Sequence, residues 1–349
     1  MGLVHMFIEV KKKADQDIFI DPPEGLLPPD YKFTVDTWGR GGDPGSRVSA
    51  LGQNAHYAHM VQTRQFRTSM FSLTISGGTA RIMRWDRSGV LVTEAFDYKT
   101  NSKILIDFVW RFVKAKPARQ GFDPTAIAVG STADHNSFLA AIMSHVQLQL
   151  GLDPETDKKE FDHEVGKHYY HGAITRLTIG DFDIWVSRPL WVSQAVVGRC
   201  TAGYWGVRCD TGDVVFVKDV WRTDVEGVEL EGDILKDLQK KGVKHIPTML
   251  CHGDATCNGL SMSLIVVRLL TNFAIGIRET TRTGSFANKP WVKSLHPQTT
   301  HLRRVVPRVH YRLVVNTAGY PLSTFKGSQE LLNATFDGFT GRKALSPLV

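Results

Sequence analysis

Residues 174–221 hold strand-length apolar runs broken by glycine-containing turns, and the last run, "DVVFVKDVWR", carries a single lysine, Lys218. The segment "EGDILKDLQKKG" follows with helical spacing, Glu231 at its start and Gly242 placed to end it. Alternating strands followed by one short amphipathic helix predict an antiparallel sheet with a helix attached, and hence an α+β class for this half.

The first half has a different texture. "FIEVKKK" is expected to form a short strand ending in a basic cluster, and the Pro-, Gly- and Asp-rich stretch after it a loop. "SALGQNAHYAHMVQTRQF" has helical spacing, with Ser49 as the expected N-cap. "MFSLTISG", "TARIMRWD" and "GVLVTEAFDY" alternate apolar and polar residues around tight turns and predict antiparallel strands. Two helices follow, one capped at Asn101 or Ser102 and one ended by Gly151. Near Gly151 the chain becomes charged and irregular, which places a boundary near residue 150 between an N-terminal α/β domain, 1–150, and a second domain, 151–349.

Phosphate chemistry needs few parts. Backbone N–H groups of glycines approach phosphate oxygens where no side chain intrudes. A strand lysine meets the α- and β-phosphates, and a helical glutamate orients it through an ion pair. Here the glycines are Gly198, Gly203 and Gly206 of "VVGRCTAGYWGV", the lysine is Lys218 and the glutamate is Glu231. Each also has an ordinary explanation: glycines between strands are common, strand-end lysines are solvated, and a first-turn glutamate suits the helix dipole.

Composition removes several classes. The net charge is +7, but Lys and Arg are scattered rather than gathered in one run, so a nucleic-acid partner is not expected. Four cysteines, Cys200, Cys209, Cys251 and Cys257, are too few for a disulfide framework and imply reduced thiols. Cys251, His252 and Cys257 fit no standard zinc spacing, and no metal site is assigned. The N-terminus lacks a secretory pattern. Arg268 interrupts the apolar run 260–277, and a charge at mid-bilayer costs about 3 kcal/mol. A cytoplasmic or nuclear protein without a membrane span is the expectation. Glu9 and Lys11 form an E-x-K pair of the kind nucleases use for metal, but no acid precedes them, and alternating surface charge explains them equally.

The chain resembles the fungal-type protein kinase family from about residue 56 to about residue 337. The resemblance rests on "RWDRSGV" with "FDY" behind it, "LIDFVWRF", "VGRCTAGYWGV", "VVFVKDVWR", "EGDILKDL", "IPTMLCHGD" and "HYRLVV" through "LSTFKGSQELL". It implies a kinase-like N-terminal lobe, an antiparallel sheet plus one helix, within residues 151–349, then a hinge at 313–319 and the start of a C-terminal lobe. It also implies ATP and Mg2+ as cofactors, with phosphoryl transfer to a protein Ser or Thr hydroxyl. Lys218 becomes the phosphate anchor and Glu231 its brace. No H-R-D-x-x-x-x-N loop or D-F-G aspartate follows before Val349, so no catalytic residue is assigned and an incomplete copy lacking its C-terminal lobe is expected. "CHGDATCN" mimics a catalytic loop, but it precedes the hinge and its asparagine comes one residue too early, so His252 and Asp254 are read as structural. The alternative is a non-catalytic kinase-like scaffold that binds protein partners.

Overall fold

The computed structural model describes residues 3–21, 44–223, 227–255, 282–283, 308–325 and 327–345. Of the expected loop 21–47, residues 22–43 lie outside the described residues and 44–47 are helix; nearly all of the apolar run that follows Asp254 also lies outside them.

The first sheet contains β1 (Met6–Lys11), β2 (Ser69–Ser76), β3 (Thr79–Asp86), β4 (Gly89–Val92) and β5 (Phe96–Asp97). Its order is β1-β2-β3-β4, with β5 beside β3. β1 runs parallel to β2, and the hairpins are antiparallel as their tight turns require. Helix α1 (Pro44–Arg64) covers one face and α2 (Ser102–Lys114) the other. Met70, Met83 and Trp85 meet Ala58 of α1, whereas Phe71, Leu73 and Ile82 meet Phe108 and Phe112 of α2. Strand alternation sorts these residues to opposite faces. α1 starts at Pro44, five residues ahead of the expected cap at Ser49, because proline's preset φ suits a first helical position. Glu9 and Lys11 pair with one another at 2.7 Å, with side chains only 15% and 20% exposed, so the pair is half-buried rather than the surface charge expected of the E-x-K spacing.

The second sheet contains β6 (Ala126–Val129), β7 (Ile174–Ile179), β8 (Phe182–Val192), β9 (Ala202–Arg208), β10 (Val214–Thr223), β11 (Met249–Asp254), β12 (Arg282–Thr283) and β13 (Arg308–Val315). Its order is β11-β13-β10-β9-β8-β7-β6, with β12 beside β13. Helices α3 (Thr132–Leu150), α4 (Lys158–Gly166), α5 (Glu231–Lys240) and α6 (Ser328–Leu345) complete the described elements. Gly151 ends α3 at φ +65°, and its N–H caps the Gln147 carbonyl. β6 and α3 precede residue 150 yet pack with the second sheet, so the passage between sheets falls between Asp97 and Ala126, ahead of the expected boundary. "CHGD" is strand β11, and Asp254 lies 2.7 and 2.9 Å from the Arg222 guanidinium.

Each face of the second sheet carries its own core. On one face α3 and α4 bring Phe138, Ile142, Val146, Phe161 and Val165 against Trp205 and Val207. Farther along that face Leu235 of α5 packs near Val220, Tyr311, Leu313 and Val315. On the opposite face Arg312 is wholly buried between two carboxylates. Its Nε donates to Asp219 at 2.9 Å, and its Nη2 donates to Asp123 at 2.5 Å. His310 reaches the other oxygen of Asp219 at 2.7 Å. Burial alone would raise the Asp219 carboxyl, but His310 and Arg312 hold it well below the usual carboxylate range.

Among the described residues no helix is long and apolar enough to cross a membrane. Cys200, Cys209 and Cys251 are free thiols.

Candidate functional site

β10 alternates strictly, which decides what each side chain can reach. Val215, Val217 and Asp219 point to the Arg312 face, and Val214, Phe216, Lys218 and Val220 point to the face covered by α3, α4 and α5. Helix α5 begins at Glu231, where its first turn passes over β11 and β13. The Lys218 Nζ lies 2.7 and 2.6 Å from the two Glu231 carboxylate oxygens.

These side chains are 22% and 42% exposed. A pair this accessible contributes roughly 1 kcal/mol or less to stability. Its importance is positional: the carboxylate holds a flexible ammonium in one place at the rim of the sheet face. Gly232 makes that position possible. A Cβ there would sit 2.1 Å from Cγ of His252 on β11, and its N–H donates to the Tyr311 hydroxyl at 2.9 Å. Sequence reasoning passed over Gly232; a glycine in the first turn of a helix was the available signal, since it costs helix propensity without ending the helix.

The three candidate glycines do not form one turn. The connection from β8 to β9 spans residues 193–201 and contains Gly198 at φ +114°. Gly198 donates its N–H to the Arg87 carbonyl at 2.8 Å, and His59 Nε2 lies 2.9 Å from the Ser193 carbonyl, so the first sheet and α1 hold this connection. Gly203 lies within β9, directly across from Lys218. A Cβ at Gly203 would meet the Trp191 ring at 2.9 Å and the Phe216 ring at 3.0 Å. Gly206 pairs with Val215 and turns to the other face, where a Cβ would strike Ile184 and Val217. Gly203 therefore shares the face of Lys218, Gly206 does not, and Gly198 has its N–H engaged.

One more feature of the Lys218 face had no sequence signal. His168, just after α4, is fully buried, and its imidazole stacks on Trp205 with ring centres 3.6 Å apart and planes 7° from parallel. His168 Nδ1, His168 Nε2 and Trp205 Nε1 find no hydrogen-bond partner among the described residues. Burial foremost, then His145, Lys167 and Arg188, pushes the His168 imidazole down to about 3. An unfolded chain binds this proton near an ordinary pKa of about 6.5. The native state therefore holds fewer protons between those values, and stability is lost as pH falls from about 6.5 toward 3. The slope reaches about 1.4 kcal/mol per pH unit. His168→Gln should flatten the urea midpoint between pH 6 and 4.5 relative to the parent; equal slopes would place His168 elsewhere.

Among the described residues no group of three or more His, Cys, Asp or Glu side chains is placed to hold a metal ion. The sequence model of a family described as fungal protein kinase matches residues 43–347. No curated protein and no solved structure matches the chain.

Proposed function

Because the chain belongs to the fungal protein kinase family, we propose that the face carrying Lys218 and Glu231 binds the phosphates of ATP for phosphoryl transfer to a protein hydroxyl. The observation that carries this is the two-oxygen bridge from Glu231 to Lys218. The order of elements supports it: paired strands β8 and β9 joined by a glycine-containing connection, the lysine strand β10, the glutamate helix α5, then β11 and β13, which runs into the hinge segment at 313–319. Residues 174–319 are then the N-terminal lobe, and α6 opens the C-terminal one.

Bound ATP supplies the transferable phosphoryl group, and its Mg2+ neutralises phosphate charge. This chain contributes the holding of the nucleotide. Lys218 presents a point charge to phosphate oxygens. Glu231 keeps that charge from turning toward solvent, and Gly203 lies directly across from Lys218 on β9. Gly198 joins them once its N–H leaves the Arg87 carbonyl.

The engaged Gly198 N–H favours a second reading, a kinase-like scaffold that binds protein rather than nucleotide. Thermal stabilisation by MgATP separates the two. At a nucleotide concentration 100 times Kd, the parent should gain about 2.7 kcal/mol. Lys218→Met should abolish most of that gain while leaving the free protein's stability within about 1 kcal/mol. An equal gain in the mutant excludes Lys218 as the anchor, and no gain in either protein favours the scaffold.

A further inference from the structure

Phe216 and Trp205, on the face that presents Lys218, form a bed for a flat heteroaromatic ring, and the chain fills it. Phe216 stands two residues before Lys218 on the same side of β10, about 7 Å along the strand. Its register partner on β9 is Trp205. Toward the other end of the face, Val220, Tyr311, Leu313 and Val315 pack near Leu235 of α5. A nucleotide whose phosphates met Lys218 would lay its base over Phe216 and Trp205, because both ends of one molecule must follow the same sheet surface.

His168 lies there now, parallel to the Trp205 indole at 3.6 Å. Tyr320, which follows β13 after the hinge segment, closes the edge of the stack with its ring 5.1 Å from Trp205 and 6.1 Å from His168. His145 of α3 holds the adjoining backbone through the Ala318 carbonyl at 2.7 Å. The arrangement has the shape of a bound ring without its polar matching. Both imidazole nitrogens and the Trp205 indole N–H lack partners among the described residues. Buried polar atoms are nearly always satisfied in native structures, so orphans gathered at one spot mark a place built for another occupant.

We infer that His168 is an internal stand-in for the nucleotide base: its ring closes the base position on Trp205, and nucleotide entry requires residues 167–172 to withdraw with it. The backbone permits this swap locally. His168 follows the end of α4, and Gly172, at φ +69°, marks the far end of the segment before β7. The segment's ties to the rest of the fold are the His168 carbonyl accepting from the Arg188 N–H, the Tyr170 N–H donating to the Ser187 hydroxyl, the Arg188 guanidinium over the Tyr170 ring at 5.0 Å and the Tyr169 ring against Phe138 at 6.0 Å. The inference rests on the nucleotide-binding function proposed above and adds the means by which that site is held closed.

When a site must open before binding, its apparent affinity is the intrinsic affinity multiplied by the open fraction. Removing the stand-in should therefore tighten binding. Titration of MgATP into the full chain by calorimetry should give a Kd roughly tenfold lower for His168→Ala than for the parent, and Lys218→Met should abolish binding in both. Labelling the parent with diethylpyrocarbonate supplies a measurement that needs no variant. His168 should be protected in the free protein and modified at saturating MgATP. Lys218-dependent binding with equal Kd in parent and His168→Ala, or His168 still protected at saturation, overturns the stand-in and leaves the nucleotide site intact. No binding by either protein overturns both.

Discussion

Arg312→Met should destabilise the protein by about 3–5 kcal/mol, the largest loss expected of any single substitution here. The guanidinium is fully buried and is the cation between Asp123 and Asp219, with a further hydrogen bond to the Thr125 hydroxyl at 2.6 Å. Burial opposes its charge, but the two aspartates outweigh that and hold its pKa above the ordinary arginine value. Methionine roughly fills the volume but leaves two carboxylates facing one another in a dry interior. The network also joins distant parts of the chain: Asp123 precedes β6, whereas Arg312 lies on β13. Arg312→Met should lower the urea midpoint without changing its slope, and adding Asp123→Asn and Asp219→Asn should recover part of the loss. A single mutant within 1 kcal/mol of the parent would mean the network is solvated in solution.

Gly232→Ala should have the second-largest effect, with a distinct signature. The added Cβ would lie 2.1, 2.3 and 2.6 Å from three atoms of the His252 ring. Overpacking of this kind costs about 1–3 kcal/mol. Because Glu231 is the adjacent residue, displacing the start of α5 also pulls its carboxylate from Lys218. Both stability and nucleotide stabilisation should therefore fall together, unlike Lys218→Met, which should affect nucleotide alone. His252→Ala removes the atoms that collide, so the double mutant should recover most of both properties. Additive losses in the double mutant would show that Gly232 is required for some other reason.

Much of the local architecture was legible in the chain. Two-residue turns between alternating runs specify the β2–β3 and β3–β4 hairpins, and glycines at positive φ end α3 and follow α5. Lys218 and Glu231 were legible because a lone lysine on an apolar strand and a glutamate opening the next helix are close in sequence. The roles of the glycines were less so. Gly203 and Gly206 are three residues apart, so they face opposite sides of β9, and only the register with β10 says which side holds Lys218. The start of α1 was misplaced because a polar helix beginning with Pro-Gly-Ser-Arg has a weak apolar stripe.

By itself, the sequence determined the kinds and order of elements, the lysine–glutamate pairing and the family, because propensity, turn chemistry and short spacing act within a few residues. Tertiary structure alone decided that Arg312 meets Asp123 across 189 positions, that Gly232 clears His252, and that His168 lies on Trp205. These contacts join elements with no shared period, and burial gives them their chemistry: the same arginine or histidine in water would be an ordinary solvated group.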